Sequence, residues 1–255
     1  MAGHGRDVPP RPPPQRRPAG LRLLSPLSLT DGENTMLSSA LTSENSVIVM
    51  IDHAVGFGSV FRSHDVSLHV NNTVGLAKTA GVFGIPLVLT NGADTGPYGP
   101  LFSELRAVIG DVAVIVREGN FINTFQTPQF AEVVEATGRR KLVISGLLTE
   151  GCVLGTALAG LERGYEVYVA VDTTAGETLE THQVAVQRMV QAGVVPVTWL
   201  SLASQYQGTY TNVETVRGFM GLMAQHSPTF GMLLQRPAAQ PGPRPGSQPV
   251  TAREL

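Results

Sequence analysis

Short runs of β-branched and aliphatic residues alternate along the chain with longer segments of helical periodicity. The short runs are almost continuously apolar, which predicts six strands buried on both faces. The longer segments predict helices, several of which end at a glycine. The predicted strands are Val47–Ile51, Leu87–Thr90, Val112–Val116, Lys141–Ser145, Glu166–Val171 and Val195–Trp199, and the predicted helices are Val66–Phe83, Leu101–Ile109, Pro128–Ala136, Cys152–Arg163 and Leu179–Gln191.

This alternation is typical of an α/β protein with a parallel sheet covered by helices. We predict a three-layer αβα fold around a doubly wound six-stranded parallel sheet in the order 3-2-1-4-5-6. A TIM barrel would need two more βα units. In the predicted order, strands one and four are neighbours where the winding reverses, and ligands bind outside the carboxyl ends of the strands at such a point.

The composition changes at both ends of the chain. Residues 1–40 are rich in Pro and Arg and residues 236–255 in Pro and Gly, and both segments are predicted to be disordered. Residues 41–210 are predicted to form one domain with a single core. Residues 211–235 are predicted to be a segment that packs on this domain or on a neighbouring subunit.

Composition also limits the compartment and the partners. The chain has 1 cysteine, which excludes an intramolecular disulfide and favours a reducing, cytoplasmic location. No apolar run approaches the roughly 20 residues that span a bilayer, so a membrane is not an expected partner. Outside the basic N-terminal segment the chain is mildly acidic, so a nucleic acid is not an expected partner either. No metal-ligand spacing or phosphate-binding glycine motif is found, and no metal or cofactor is expected.

Three residues suited to chemistry follow predicted strands. Asp52 follows strand one, Arg117 follows strand three and Cys152 begins the helix after strand four. We expect a partly desolvated carboxylate that moves protons, a permanent positive charge, and a thiol whose pKa is lowered by the helix start. The alternatives are a turn aspartate, a structural ion pair of Arg117 with Asp52 or Glu118, and an inert buried cysteine.

The loop before Cys152 carries the most specific motif. Residues 146–153, Gly-Leu-Leu-Thr-Glu-Gly-Cys-Val, resemble the Gly-x-x-Thr-[Asp/Glu]-x-Cys-Val signature of the isochorismatase-like cysteine hydrolase superfamily. The resemblance covers about residues 41–210, and the segments 95–101, 122–123 and 188–193 favour its YcaC-like branch. The superfamily includes nicotinamidases and N-carbamoylsarcosine amidases.

The resemblance implies specific roles. The family's catalytic Asp and Cys match Asp52 and Cys152, while Arg117 stands approximately where the family has lysine. It also implies a cis peptide at Leu147-Leu148 and an oxyanion hole formed by the N–H groups of Leu148 and Cys152. We assign contacts with the substrate to four residues: His53, Phe57, Asn123 and Thr149.

The predicted function is hydrolysis of an amide-type C–N bond of a small molecule through a thioester on Cys152. Three alternatives stay open: a vinyl-ether hydrolase of the isochorismatase type, a binding or scaffold protein without catalysis, and a redox-sensing thiol. The resemblance also implies a homo-oligomer, for which Tyr206–Phe230 is the candidate contact segment.

Overall fold

A computed structural model describes residues 40–117, 119 and 121–234 of the chain. The two segments predicted to be disordered lie outside the described residues, apart from Ala40. So does Glu118, one of the two predicted alternative partners of Arg117.

Six parallel strands form one sheet, in the order β3-β2-β1-β4-β5-β6. This confirms the predicted topology, including the contact between β1 and β4 at the reversal of winding. The strands are β1 Ser46–Ile51, β2 Leu87–Asn91, β3 Val114–Val116, β4 Lys141–Leu147, β5 Glu166–Ala175 and β6 Val195–Val197.

Helices cover both faces of the sheet. They are α1 Val66–Phe83, α2 Ser103–Val108, α3 Pro128–Ala136, α4 Leu154–Glu162, α5 Leu179–Gln191, α6 Trp199–Gln207, α7 Val216–His226 and α8 Pro228–Leu234. Alternate residues of β1 belong to two separate cores: Ile48 and Met50 pack with α1, α6 and α7, whereas Val47 and Val49 pack with α3, α4 and α5. Because successive side chains of a strand point to opposite faces, these two cores establish the three layers.

Several predicted element boundaries differ from the structure. The strand predicted over Val112–Val116 begins only at Val114, and the helix predicted from Cys152 begins at Leu154, because a π-type turn over Thr149–Val153 carries the cysteine. Trp199 was placed in the last strand, but it opens α6, where the Thr198 side chain caps the helix by accepting from the Ser201 N–H.

Strand β5 was predicted to stop at Val171, but it continues to Ala175 after a break in its register with β4. Asp172 therefore lies within the strand. Its carboxylate accepts a hydrogen bond of 3.0 Å from the Trp199 N–H, as expected of a residue that fixes a neighbouring segment. Burial raises the pKa of Asp172 to about 6.

The segment after residue 210 forms helices that pack within the chain. Phe219, Leu222 and Met223 of α7 are buried in the core shared with α1. Met232 and Leu233 of α8 are mostly exposed. None of the described helices combines the length and the hydropathy needed to cross a membrane.

Two of the buried histidines are fully enclosed. His53 and His69 have exposed fractions of 0%. The ring of His69 lies among aromatic rings, with its centroid 4.9 Å from that of Phe61 and 5.5 Å from that of His53. Burial lowers the pKa of His53 to about 3 and that of His69 well below its ordinary value.

These lowered pKa values predict a loss of stability in acid. The unfolded chain binds protons at these histidines below about pH 6.5 while the folded protein leaves them neutral, so the free energy of unfolding falls as the pH decreases from there. Each fully neutral histidine contributes a slope of at most about 1.4 kcal/mol per pH unit. We expect urea unfolding between pH 7 and pH 5 to show this decline, and His69→Leu to reduce its slope by up to that amount. Parallel slopes for the two proteins would contradict the assignment of His69 as a neutral histidine.

Candidate active site

Asp52 leaves the sheet at the carboxyl end of β1. Its backbone N–H still donates to the Thr90 carbonyl of β2, at 3.0 Å, and its φ of 54° then turns the chain out of the strand. The Thr90 hydroxyl donates to one carboxylate oxygen, Oδ1, at 3.1 Å. The carboxylate is thus fixed at the sheet edge, with a side-chain exposed fraction of 3%.

Arg117 reaches the same point from β3. Its backbone N–H donates to the Asn91 carbonyl at 2.9 Å, which fixes the start of the side chain at the sheet edge. At the far end, Nη1 donates to the Phe121 carbonyl at 2.6 Å. The other terminal nitrogen, Nη2, donates both to Asp52 Oδ2 and to Cys152 Sγ, the latter at 3.5 Å.

Cys152 is delivered by the loop after β4. Strand β4 runs so close to β1 at Gly146 that a Cβ there would lie 2.5 Å from the Ile51 carbonyl oxygen, which requires glycine. The cis peptide predicted at Leu147-Leu148 is confirmed. The following turn, Thr149–Val153, which we call the nucleophile turn, holds Cys152 half-buried at its fourth position.

The structure therefore brings the three predicted chemical residues into contact at the carboxyl edge of the sheet, and we call this place the crevice. The ion pair with Asp52 that was the structural alternative for Arg117 also forms. Since the same guanidinium nitrogen contacts the thiol, the ion pair is part of the crevice and does not exclude a chemical role.

Burial is the largest influence on the pKa of Asp52 and on that of Cys152. It raises the pKa of Asp52 above its ordinary value, against the opposing effects of the Arg117 charge and of hydrogen bonds from Thr90, Cys152 and Arg117. Burial, together with the Asp52 charge, also raises the pKa of the Cys152 thiol, while Arg117 lowers it. The expectation of a lowered thiol pKa is wrong, because Cys152 precedes α4 in a buried turn and does not stand in its first turn.

The four residues assigned to substrate contact lie in different settings. His53 and Thr149 are fully buried, and their polar atoms contact Ser145 and His182, respectively. Phe57 is nearly buried and stacks on Tyr98, with ring centroids 4.3 Å apart.

Asn123 is half-buried in the loop that follows Arg117, where its side chain accepts a hydrogen bond from the Phe125 N–H. Of the four, Phe57 lies in the segment after β1 and Asn123 in the segment after β3, and their contact with substrate stays a prediction. For His53 and Thr149, burial favours a supporting role.

Two residues of the crevice were missed by sequence reasoning. Thr90 binds Asp52, and the Phe121 carbonyl holds Arg117. Thr90 stands directly opposite Ile51 in the parallel register, so the predicted strand order combined with an exact register would have found it. No sequence signal marks a main-chain carbonyl such as that of Phe121.

A separate groove between α1, α2 and α7 contains none of these residues. It is lined by apolar side chains such as Val70 and Phe102, with Asp65 and Glu104 among the polar ones. Among the described residues, no group of three or more His, Cys, Asp or Glu side chains has an arrangement that could hold a metal ion.

Comparison with known proteins finds relatives that share one kind of domain. The family model for the isochorismatase domain matches residues 46–201. "Probable hydrolase YcaC" of Escherichia coli K12 is 33% identical over 194 residues, which cover 76% of this chain and 92% of that protein. The mouse isochorismatase domain-containing protein 2B is 31% identical over 49% of this chain and 57% of its own length.

Solved structures of two YcaC proteins have the same fold as this chain. YcaC from Pseudomonas aeruginosa, solved with hexane-2,5-diol and covalent acrylamide, superimposes with a TM-score of 0.73 at 30% identity, over 78% of this chain and 96% of its own. The Escherichia coli YcaC protein, described as an octameric hydrolase of unknown specificity, has a TM-score of 0.73 at 34% identity, over 76% of this chain and 94% of its own. The family-model match spans more than half of the sequence, and the chain belongs to the isochorismatase family of hydrolases.

Proposed function

We propose that the protein hydrolyses an amide-type C–N bond of a small molecule through a thioester on Cys152. The observation that carries this proposal is the position of Arg117 Nη2, which contacts both the Asp52 carboxylate and the Cys152 sulfur. An acid/base group, a nucleophile and a counterion for both are the groups that acyl transfer through a thiol needs.

The first step moves a proton from Cys152 to Asp52. Before the transfer the negative charge is on the carboxylate, and after it the charge is on sulfur. Arg117 contacts both atoms, so the total charge of the crevice is the same in the two states. The raised pKa of Asp52 favours its acceptance of the proton, which offsets the raised pKa of the thiol.

The thiolate then attacks the carbonyl carbon of the amide. The negative charge that develops on the carbonyl oxygen is stabilised by the N–H groups of Leu148 and Cys152, an arrangement that typically contributes about 100-fold or more in rate per donor. Asp52 returns its proton to the leaving nitrogen, the C–N bond breaks, and an amine or ammonia departs from the thioester.

Water completes the cycle. Asp52 takes a proton from a water molecule, whose oxygen attacks the thioester carbon, and the C–S bond breaks to release the carboxylic acid. The proton on Asp52 then returns to Cys152. Arg117 is not a proton donor in this scheme, because a guanidinium keeps its proton throughout the accessible pH range.

We also propose that the chain forms a homo-oligomer in a reducing, cytoplasmic compartment. The octameric state of the Escherichia coli YcaC protein supports the assembly. The single cysteine, which the thioester scheme requires in reduced form, supports the compartment.

The thioester scheme predicts distinct effects of two substitutions on amide hydrolysis. We expect Cys152→Ala to abolish release of ammonia or amine from a panel of linear carboxamides, carbamoyl compounds and lactams. Asp52→Asn should lower kcat by about 100-fold to 10,000-fold, because the general acid and base is lost. Intact-protein mass should show an acyl adduct on the wild type during turnover.

Arg117→Lys serves as the control that keeps the charge, and it should retain more activity than Arg117→Met. Turnover of any amide by Cys152→Ala would refute the nucleophilic role. Turnover of a vinyl ether by that variant, with no amide accepted by the wild type, would favour the isochorismatase reaction instead.

The electrostatics of the crevice predict opposite shifts of the thiol pKa. Asp52→Asn removes a neighbouring negative charge, so the pKa of Cys152 should fall; Arg117→Met removes the positive charge, so it should rise. The rate of iodoacetamide alkylation, followed by intact mass from pH 6 to pH 10, measures the pKa because Cys152 is the one thiol of the chain. Arg117→Lys should lie near the wild type. Equal profiles for Asp52→Asn and Arg117→Met would mean that the three groups do not interact in solution.

The oligomer proposal predicts a native mass that is a multiple of 27.0 kDa. Light scattering after size exclusion measures this mass, and a strictly monomeric value would refute the proposal. A double substitution of exposed residues in α8, Met232→Glu with Leu233→Glu, tests whether this end of the chain contributes to the contact; a smaller assembly with unchanged helical content would show that it does.

A further inference from the structure

The nucleophile turn is fastened to the start of α5 by two hydrogen bonds. The Thr149 hydroxyl and His182 Nδ1 lie 2.8 Å apart, and Glu150 Oε1 accepts from the Glu177 N–H at 2.9 Å. Thr149 and Glu150 stand three and two residues before Cys152. The placement of the sulfur relative to Asp52 and Arg117 therefore depends on contacts made by a different element.

This junction is tightly packed. Thr149 has an exposed fraction of 0% and His182 of 7%. A Cβ on Gly176, in the loop before α5, would lie 2.5 Å from Glu150 Oε2 and 3.1 Å from the His182 Cβ. The Gly176 N–H in turn donates to the Ser63 hydroxyl at 2.9 Å, so the loop before α1 supports the same junction.

His182 is held in a neutral, oriented state. Its ring stands perpendicular to that of His64, with centroids 4.9 Å apart. Burial lowers the pKa of His182 to about 4, and the charge of His64 acts in the same direction. Near neutral pH, Nδ1 of the uncharged ring is therefore available to the Thr149 hydroxyl.

We propose that His182 is a positioning residue for Cys152 and acts through the hydroxyl of Thr149. The inference rests on the proposed function in taking Cys152 as the nucleophile. The contacts of the His182 ring include the Thr149 hydroxyl and the ring of His64. The contribution of His182 is to hold the nucleophile turn, and with it the half-buried Cys152, in place, because a displacement of about 1 Å in a reacting group can cost about 100-fold in rate.

Two substitutions of His182 separate the hydrogen bond from the packing. In His182→Asn the side-chain amide can occupy the place of Nδ1 and keep the bond to Thr149, whereas in His182→Gln the amide lies near the place of Nε2 and the bond is lost. We expect the Gln variant to open the turn to water, so that the pKa of Cys152 falls toward the ordinary thiol value of about 8.5 and iodoacetamide alkylation at pH 7 becomes several-fold faster. The Asn variant should resemble the wild type.

The partner side gives an independent test. Thr149→Ser keeps the hydroxyl and should resemble the wild type, while Thr149→Val should reproduce the effect of His182→Gln. The double variant of Thr149→Val with His182→Gln should change the alkylation profile no further than either substitution alone, because both remove the same bond.

A third test displaces the contacts between the nucleophile turn and α5 by adding a methyl group. Gly176→Ala inserts a methyl group between Glu150 and His182 without changing either side chain, and it should also accelerate alkylation. Gly81→Ala is the matched control, since a Cβ at that position in α1 meets nothing within 4 Å.

The outcomes distinguish positioning from stability and from the proposed function. If the Gln variant lowers the melting temperature but leaves the alkylation profile unchanged, the residue is only structural and the proposal is overturned. If the profile shifts and an amide substrate is known, kcat should fall by about 100-fold with little change in KM. If the profile shifts as expected but no amide is hydrolysed by the wild type, the proposed function fails while the positioning role stands.

Discussion

The contact of one guanidinium nitrogen with both a carboxylate and a thiol is the interaction on which the rest of the crevice depends. Burial raises the pKa of both Asp52 and Cys152. Without Arg117, a negative charge on either group would therefore be costly. Because Nη2 of Arg117 contacts both groups, it is a counterion whether the negative charge is on oxygen or on sulfur. The other terminal nitrogen of Arg117, Nη1, is fixed by the Phe121 carbonyl.

The sheet order makes this contact possible. Strands β1 and β4 are neighbours at the reversal of winding, so the chain can leave them at one edge with Asp52 and Cys152 on adjacent strands. Arg117 comes from β3, two strands away from β1, and only a long side chain spans that distance. Gly146 lets β4 approach β1 closely, which places the loop that carries Cys152 beside Asp52.

Much of this arrangement could be predicted from the sequence. The apolar runs of the central strands indicate a sheet buried on both faces, and the positions of Asp52 and Cys152 just after two of them indicate the crevice. What could not be predicted depends on local backbone geometry. The nucleophile turn breaks the helical pattern before Leu154, and no side chain marks the contact of the Phe121 carbonyl. His182 lies 30 residues beyond Cys152 on α5. The periodicity of that helix predicts which of its faces is buried, but not that His182 contacts the nucleophile turn.

The raised pKa of the Cys152 thiol, which the sequence did not predict, bears on the alternative of a redox-sensing cysteine. A redox-sensing cysteine reacts with peroxide as the thiolate, so its pKa must be lowered and its sulfur accessible. Here burial raises the pKa of Cys152, and the contacts of Thr149 and Glu150 hold the turn closed. A thiol of this kind becomes nucleophilic only when a base takes its proton at the moment of attack. In the proposed mechanism Asp52 is that base, because burial raises its pKa as well. The burial that argues against a redox sensor is then the same burial that suits the proposed acyl transfer.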